Sequence, residues 1–121
     1  MTDAGLHQRL GRSQRIQARS GFLSVQEHGR RIPGQTLVLY AMRRRDGSGH
    51  HVSRLGITVS KKVGNAVVRN RVKRWIRESY RRLDRIEDAD FVVIAKPTAA
   101  QSSFAATERE LAGLVGRAQA R

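Results

Sequence analysis

The stretch KKVGNAVVRNRVKRWIRESYRR, residues 61–82, limits the possible folds more than any other part of the chain. It carries Lys61, Lys62, Arg69, Arg71, Lys73, Arg74, Arg77, Arg81 and Arg82, yet also Val68, Val72, Trp75, Ile76 and Tyr80. At about 100° per residue, Val68, Val72, Trp75, Ile76, Ser79, Tyr80 and Leu83 gather on one side. Asn70, Lys73, Arg74, Arg77 and Arg81 share the other. The spacing therefore predicts a helix over residues 65–83 that packs one flank on a sheet and turns the other to solvent. Gly64 turns the chain and Asn65 caps the helix. The free N–H groups of a helix start, with Lys61 and Lys62 beside them, form a field that attracts anions.

Like charges four residues apart on a helix repel by roughly a few tenths of a kcal/mol per pair, and Glu78 alone cannot neutralise this set. A phosphate backbone can, because the arginine fork matches phosphate oxygens bidentately. A merely solvated basic face is the plainer reading, but clustering without acidic partners argues against it. Over the whole chain, 24 Lys and Arg oppose 10 Asp and Glu, a formal charge of +14 in 121 residues. That excess points to a polyanionic partner, with nucleic acid ahead of a membrane surface. The apolar runs TLVLYAM and FVVIA are far shorter than the roughly 20 residues of a membrane-spanning helix. No long helix opposes a broad Leu and aromatic face to a Lys face.

The length suits one domain with one moderate core. Residues 1–14 are polar and basic without a period and read as a flexible arm, leaving 15–121 as the folded unit. No secretory h-region is seen at the start, and the absence of cysteine permits a cytoplasmic location. IQARSGFLSVQEH brings Ile16, Phe22, Leu23 and Val25 together if helical, with Gly29 as its stop. RIPGQ reads as a turn or irregular edge. TLVLYAMRR and RLGITVS read as two antiparallel strands joined by the hairpin chemistry of DGSGHH. FVVIAKP reads as a buried strand, and Phe104, Leu111, Leu114 and Val115 mark a last helix capped by Ser102 or Ser103. The expected order is helix, two or three strands, helix, strand, helix, an α+β sandwich with helices packed on a sheet.

Protein-borne catalysis finds little support. Converging carboxylates are needed for a two-metal site, and Asp88 and Asp90, the one close pair before a strand, read as part of a turn. His50 and His51 fall in the Gly-rich loop, His7 in the arm and His28 at a helix end, with no metal-ligand spacing among them. No catalytic or metal-binding residue is assigned.

LGITVSKKVGNAVVRNRVKRWIRESYR resembles the signature of the bacterial ribonuclease P protein subunit, in which a strand, a Gly-Asn turn and an Arg-Asn-Arg helix follow in this order. The likeness extends through RIQARSGFLSVQEHGRRIPGQTLVLYA and DFVVIAKPTAAQSSFAATERELAGLV. It implies an α+β fold, an α/β sandwich of order α-β-β-β-α-β-α with a left-handed βαβ crossover, against the usual hand. It further implies a small subunit, monomeric outside the ribonucleoprotein, that joins a catalytic RNA in the cytoplasm to remove the 5′ leader of precursor tRNA. The RNA, with bound Mg²⁺, performs that endonucleolytic hydrolysis. By motif match, Lys61, Lys62, Asn65, Arg69, Asn70, Arg71, Lys73, Arg74 and Arg77 would face the catalytic RNA. Phe22 and Tyr40 would line a cleft, between the first helix and the sheet, for the leader. Gln26 stands where many relatives carry a second aromatic, a departure at the leader-stacking position. Stacking platforms along a positive groove are what a single strand requires; Phe22 serves equally as core, whereas Tyr40 can present its ring at a sheet surface. Trp75 and Tyr80 belong to the core.

A structural RNA-binding protein of ribosomal type is the alternative, since composition does not separate the two. The long central motif and the cleft aromatics favour the processing subunit. DNA binding is weaker still, because the helix lacks base-reading polar side chains apart from Asn70.

Overall fold

A computed structural model describes residues 15–16, 19–43, 53–83 and 89–119. In it the chain runs α1 (Arg19–His28), β1 (Arg30–Pro33), β2 (Leu37–Arg43), β3 (Arg54–Thr58), α2 (Ala66–Arg81), β4 (Ala89–Ala95), a 3₁₀ turn (Pro97–Gln101) and α3 (Phe104–Gln119). The expected element order holds. The arm predicted over residues 1–14 lies outside the described residues, as does the DGSGHH loop.

One four-stranded sheet has the order β1-β2-β4-β3. β4 is antiparallel to β2 and parallel to β3, so α2 makes the crossover of a βαβ unit. The predicted hairpin between β2 and β3 is thus corrected: these strands do not pair, because β4 lies between them. Burial gives the reason. β4 is buried at every position except the partly exposed Ile94, and a strand apolar on both faces is stable where both are covered. Only the sheet centre offers that.

Side chains alternate across the pleat. Ile32, Leu37, Leu39, Leu55, Phe91, Val93 and Ala95 point to one face, where Val72, Ile76 and Tyr80 of α2 and Leu111, Leu114 and Val115 of α3 complete the larger core. Val92, with the partly buried Tyr40, Met42 and Ile94, faces the other side and packs with Ile16, Val25 and Phe22. The sheet is the middle layer, with α2 and α3 on one side and α1 on the other.

In α1 only part of the expected apolar cluster turns inward. Leu23 remains 49% exposed, while Ile16 precedes the helix and donates its N–H to Leu55 O at 3.0 Å, alongside a parallel bridge from Arg15 to Leu55. Ile16 itself is not helical, so it follows no helical wheel. Phe22 and Val25, three residues apart, share the inner face. The helix ends at His28, and Gly29 N–H bonds Val25 O at 2.8 Å.

Two ties lock the sheet to its surroundings. Asp90, expected in a turn, instead lies within β4 and is 2% exposed. Arg54, its register partner on β3, grips it bidentately, Nε to Oδ1 at 2.8 Å and an NH2 nitrogen to Oδ2 at 2.6 Å. A buried carboxylate requires such a partner. RIPGQ supplies the short edge strand β1 and then a turn held from α3, where Glu110 accepts from Thr36 N at 2.9 Å, Thr36 Oγ1 at 2.6 Å and Leu37 N at 2.8 Å. A β-carbon on Gly34 would lie 2.8 Å from the backbone oxygen of Leu37 as well as 2.4 Å from Glu110 Oε2, so the turn favours glycine there. Of the two serines before α3, Ser103 caps it, its Oγ accepting from Ala106 N at 3.1 Å.

Candidate nucleic-acid interface

α2 begins where Asn65, in extended conformation, accepts Val68 N–H on its side chain at 3.0 Å. This is the predicted cap. Val72, Ile76, Ser79 and Tyr80 are buried on the inner flank. Ser79 stays satisfied there by donating to Trp75 O at 2.7 Å, and Tyr80 meets Phe91 edge-on with centroids 6.2 Å apart. Burial pushes the Tyr80 phenol well above its ordinary range, with the nearby Asp90 charge adding to the rise and Ser53 opposing it.

The outer flank carries Asn70, Arg74 and Arg77 exposed, with Lys73 half-buried beside them. Among the described residues these three cations form no ion pair. The described carboxylates are engaged elsewhere: Glu27 with His28, Glu78 with Arg81, Asp90 with Arg54, Glu108 with Arg82, and Glu110 with the Thr36 turn. An exposed cationic row therefore remains. Lys61 and Lys62 are exposed in the turn leading into α2, which the buried Val63 anchors.

The other two arginines of the motif are half-buried and partly committed. Arg69 Nε donates to Gly64 O at 3.1 Å, bracing the strand-to-helix turn. Arg71 lies over the Trp75 ring, 5.5 Å from its centroid, and reaches Ala100 O at 3.5 Å, while its Nε is buried with no hydrogen-bond partner among the described residues. Arg81, assigned to the open flank from the helical wheel, instead pairs with Glu78, and its side chain is only 11% exposed.

On the opposite side of the sheet, Phe22, Leu23, Gln26 and Thr58 line a pocket of about 440 Å³ between α1 and β3. Phe22 is partly buried there, with its ring over Gly56. Core packing and cleft lining, the two sequence readings of Phe22, thus coincide in one position. Gln26 belongs to the same wall. Tyr40 is half-buried on the same side of the sheet, at the β2 position paired with Val92 on one hand and Arg31 on the other. Leu23 and Thr58 were not foreseen as lining, nor was Arg31 as a neighbour of Tyr40. The alternation across β1 could have shown the last, had RIPGQ been read as a strand.

Of the histidines, His28 is exposed, with Nε2 3.2 Å from Glu27 Oε1; His7, His50, His51 and also Asp88 lie outside the described residues. Among the described residues no three His, Asp or Glu side chains gather as a metal site. No described helix is long and apolar enough to cross a membrane.

Comparison with known proteins bears on this arrangement. The family model Ribonuclease P matches residues 10–119. The ribonuclease P protein component of Gluconacetobacter diazotrophicus is 42% identical over 103 residues, covering 83% of this chain and 86% of the relative. That of Brevibacillus brevis is 39% identical over 112 residues, covering 91% and 86%. Among solved structures, the Staphylococcus aureus RNase P protein superposes with a TM-score of 0.78 at 31% identity, covering 88% of this chain and 95% of that one. The Thermotoga maritima RNase P protein gives 0.75 at 29%, covering 88% and 98%.

Proposed function

Because this chain belongs to the ribonuclease P protein family, we propose that it assists a catalytic RNA in removing the 5′ leader from precursor tRNA. Residues 15–121 act as the working domain and residues 1–14 as a basic arm, in the cytoplasm, the protein being monomeric outside the ribonucleoprotein. The chemistry rests with the RNA and its Mg²⁺; the protein's part is electrostatic and positional.

Lys73, Arg74, Arg77 and Asn70, with Lys61, Lys62, Asn65 and the motif arginines Arg69 and Arg71, contact the catalytic RNA. The observation that carries this assignment is the outer flank of α2, whose cations have no carboxylate partner among the described residues. Two large RNAs repel one another, and a subunit of formal charge +14 between them lowers that repulsion and the Mg²⁺ required. On the other side of the sheet, Phe22 and Tyr40 offer ring faces on which leader bases stack. Binding there favours precursor over product, since mature tRNA has no leader.

The test is reconstitution. Added to a bacterial ribonuclease P RNA at low Mg²⁺, the protein should stimulate 5′ cleavage of precursor tRNA and bind precursor more tightly than mature tRNA. RNA binding without stimulation would instead favour a structural RNA-binding protein of ribosomal type.

A further inference from the structure

We infer that Arg31 is a further leader-binding residue, holding a leader phosphate next to the base that stacks on Tyr40 and so extending the single-stranded path to the β1 edge of the sheet. This rests on the assignment of the α1 side of the sheet to the leader. Arg31 and Tyr40 are register partners in the antiparallel β1–β2 pair, which places their β-carbons roughly 4.5–5.5 Å apart on one face. The face is the α1 side, because the next residue, Ile32, is buried in the core on the other. Arg30 obeys the same alternation by turning toward α3, where it donates to Arg117 O at 3.1 Å.

Arg31 is exposed and makes no hydrogen bond or ion pair among the described residues. The register continues the row as Arg31, Tyr40, Val92 and Gly56, with the Phe22 ring over Gly56. Three strand spacings separate its ends, roughly 14 Å. An aromatic thus marks each half of the row and an unengaged guanidinium closes it, the combination of stacking platform and positive charge that a single strand needs. A charge on an edge strand also deters edge-to-edge pairing. That role needs no particular fork geometry and no leader.

The experiment uses the holoenzyme and precursor tRNAs with a graded series of leader lengths. Wild type should bind more tightly as the leader lengthens, up to a plateau. Arg31→Gln should match wild type for mature tRNA and the shortest leaders and lose about three- to fivefold at the plateau. Its salt slope for long leaders should fall by about 0.7. Arg31→Lys should restore the slope but only part of the affinity. Equal loss at every length, or no loss while wild type keeps its leader dependence, would overturn the role of Arg31. Absence of leader dependence in wild type would remove the underlying assignment instead. An unchanged urea midpoint for Arg31→Gln establishes that the variant is folded.

Discussion

The ring of Phe22 fills the space that a side chain on Gly56 would need: a β-carbon there would lie 2.6 Å from Phe22 Cε1 and 2.8 Å from Cζ. Gly56→Ala should therefore push the ring off β3 and destabilise the protein by about 1–3 kcal/mol, the usual range for overpacking. Urea denaturation measures the stability. If Phe22 also stacks on the leader, the same variant should lose affinity for precursor but not for mature tRNA.

Replacing Lys73, Arg74 and Arg77 together by Gln should leave stability within about 0.5 kcal/mol, because these side chains hold no internal partner among the described residues. The log–log salt slope of RNA binding should fall by up to about 2–2.7, three contacts at roughly 0.7–0.9 each. An unchanged slope would remove α2 from the interface. Arg69 and Arg71 suit this experiment less well, since their bonds to Gly64 and Ala100 mix structure with binding.

Asp90→Ala should destabilise the domain by at least about 2 kcal/mol by removing the carboxylate that Arg54 grips bidentately. The loss should stay below the roughly 3–5 kcal/mol of a fully buried pair, because the Arg54 side chain retains 35% exposure to water. Chemical denaturation of Asp90→Ala beside Arg54→Ala and the double variant gives the coupling directly.

Glu110→Ala leaves Thr36 N–H, Thr36 Oγ1 and Leu37 N–H without their acceptor. A cost of about 1–3 kcal/mol is expected, with faster hydrogen exchange at Thr36 and Leu37 than elsewhere in the sheet. Uniform exchange across all strands would argue against a local tie.

Tyr80 predicts the alkaline behaviour. Its phenol is raised above the ordinary value of 10.0 by burial, so the folded state favours the neutral form. The corresponding stability is fully present below pH 10 and is lost as pH rises beyond it toward the folded-state value. Tyr80→Phe should flatten this decline relative to wild type in denaturation curves at successive pH values above 10. Identical slopes would place the alkaline loss elsewhere.

Periodicity was enough to define α2. The wheel of residues 65–83 separated the inner Val72, Ile76 and Tyr80 from the outer Asn70, Arg74 and Arg77, because a helix converts three- and four-residue spacing into faces without reference to the rest of the chain. Asn65, Gly29 and the apolar run of β4 were legible for the same local reason. Strand partnership was not local: the turn chemistry of DGSGHH favoured a hairpin, but β4 needed cover on both faces and took the place between β2 and β3. That placement made Asp90 a partner of Arg54, set Gly56 under Phe22 and, with β1 as an edge strand, put Arg31 beside Tyr40. Such neighbours arise from which surfaces must leave water together, and in a folded chain that depends on residues far apart in sequence.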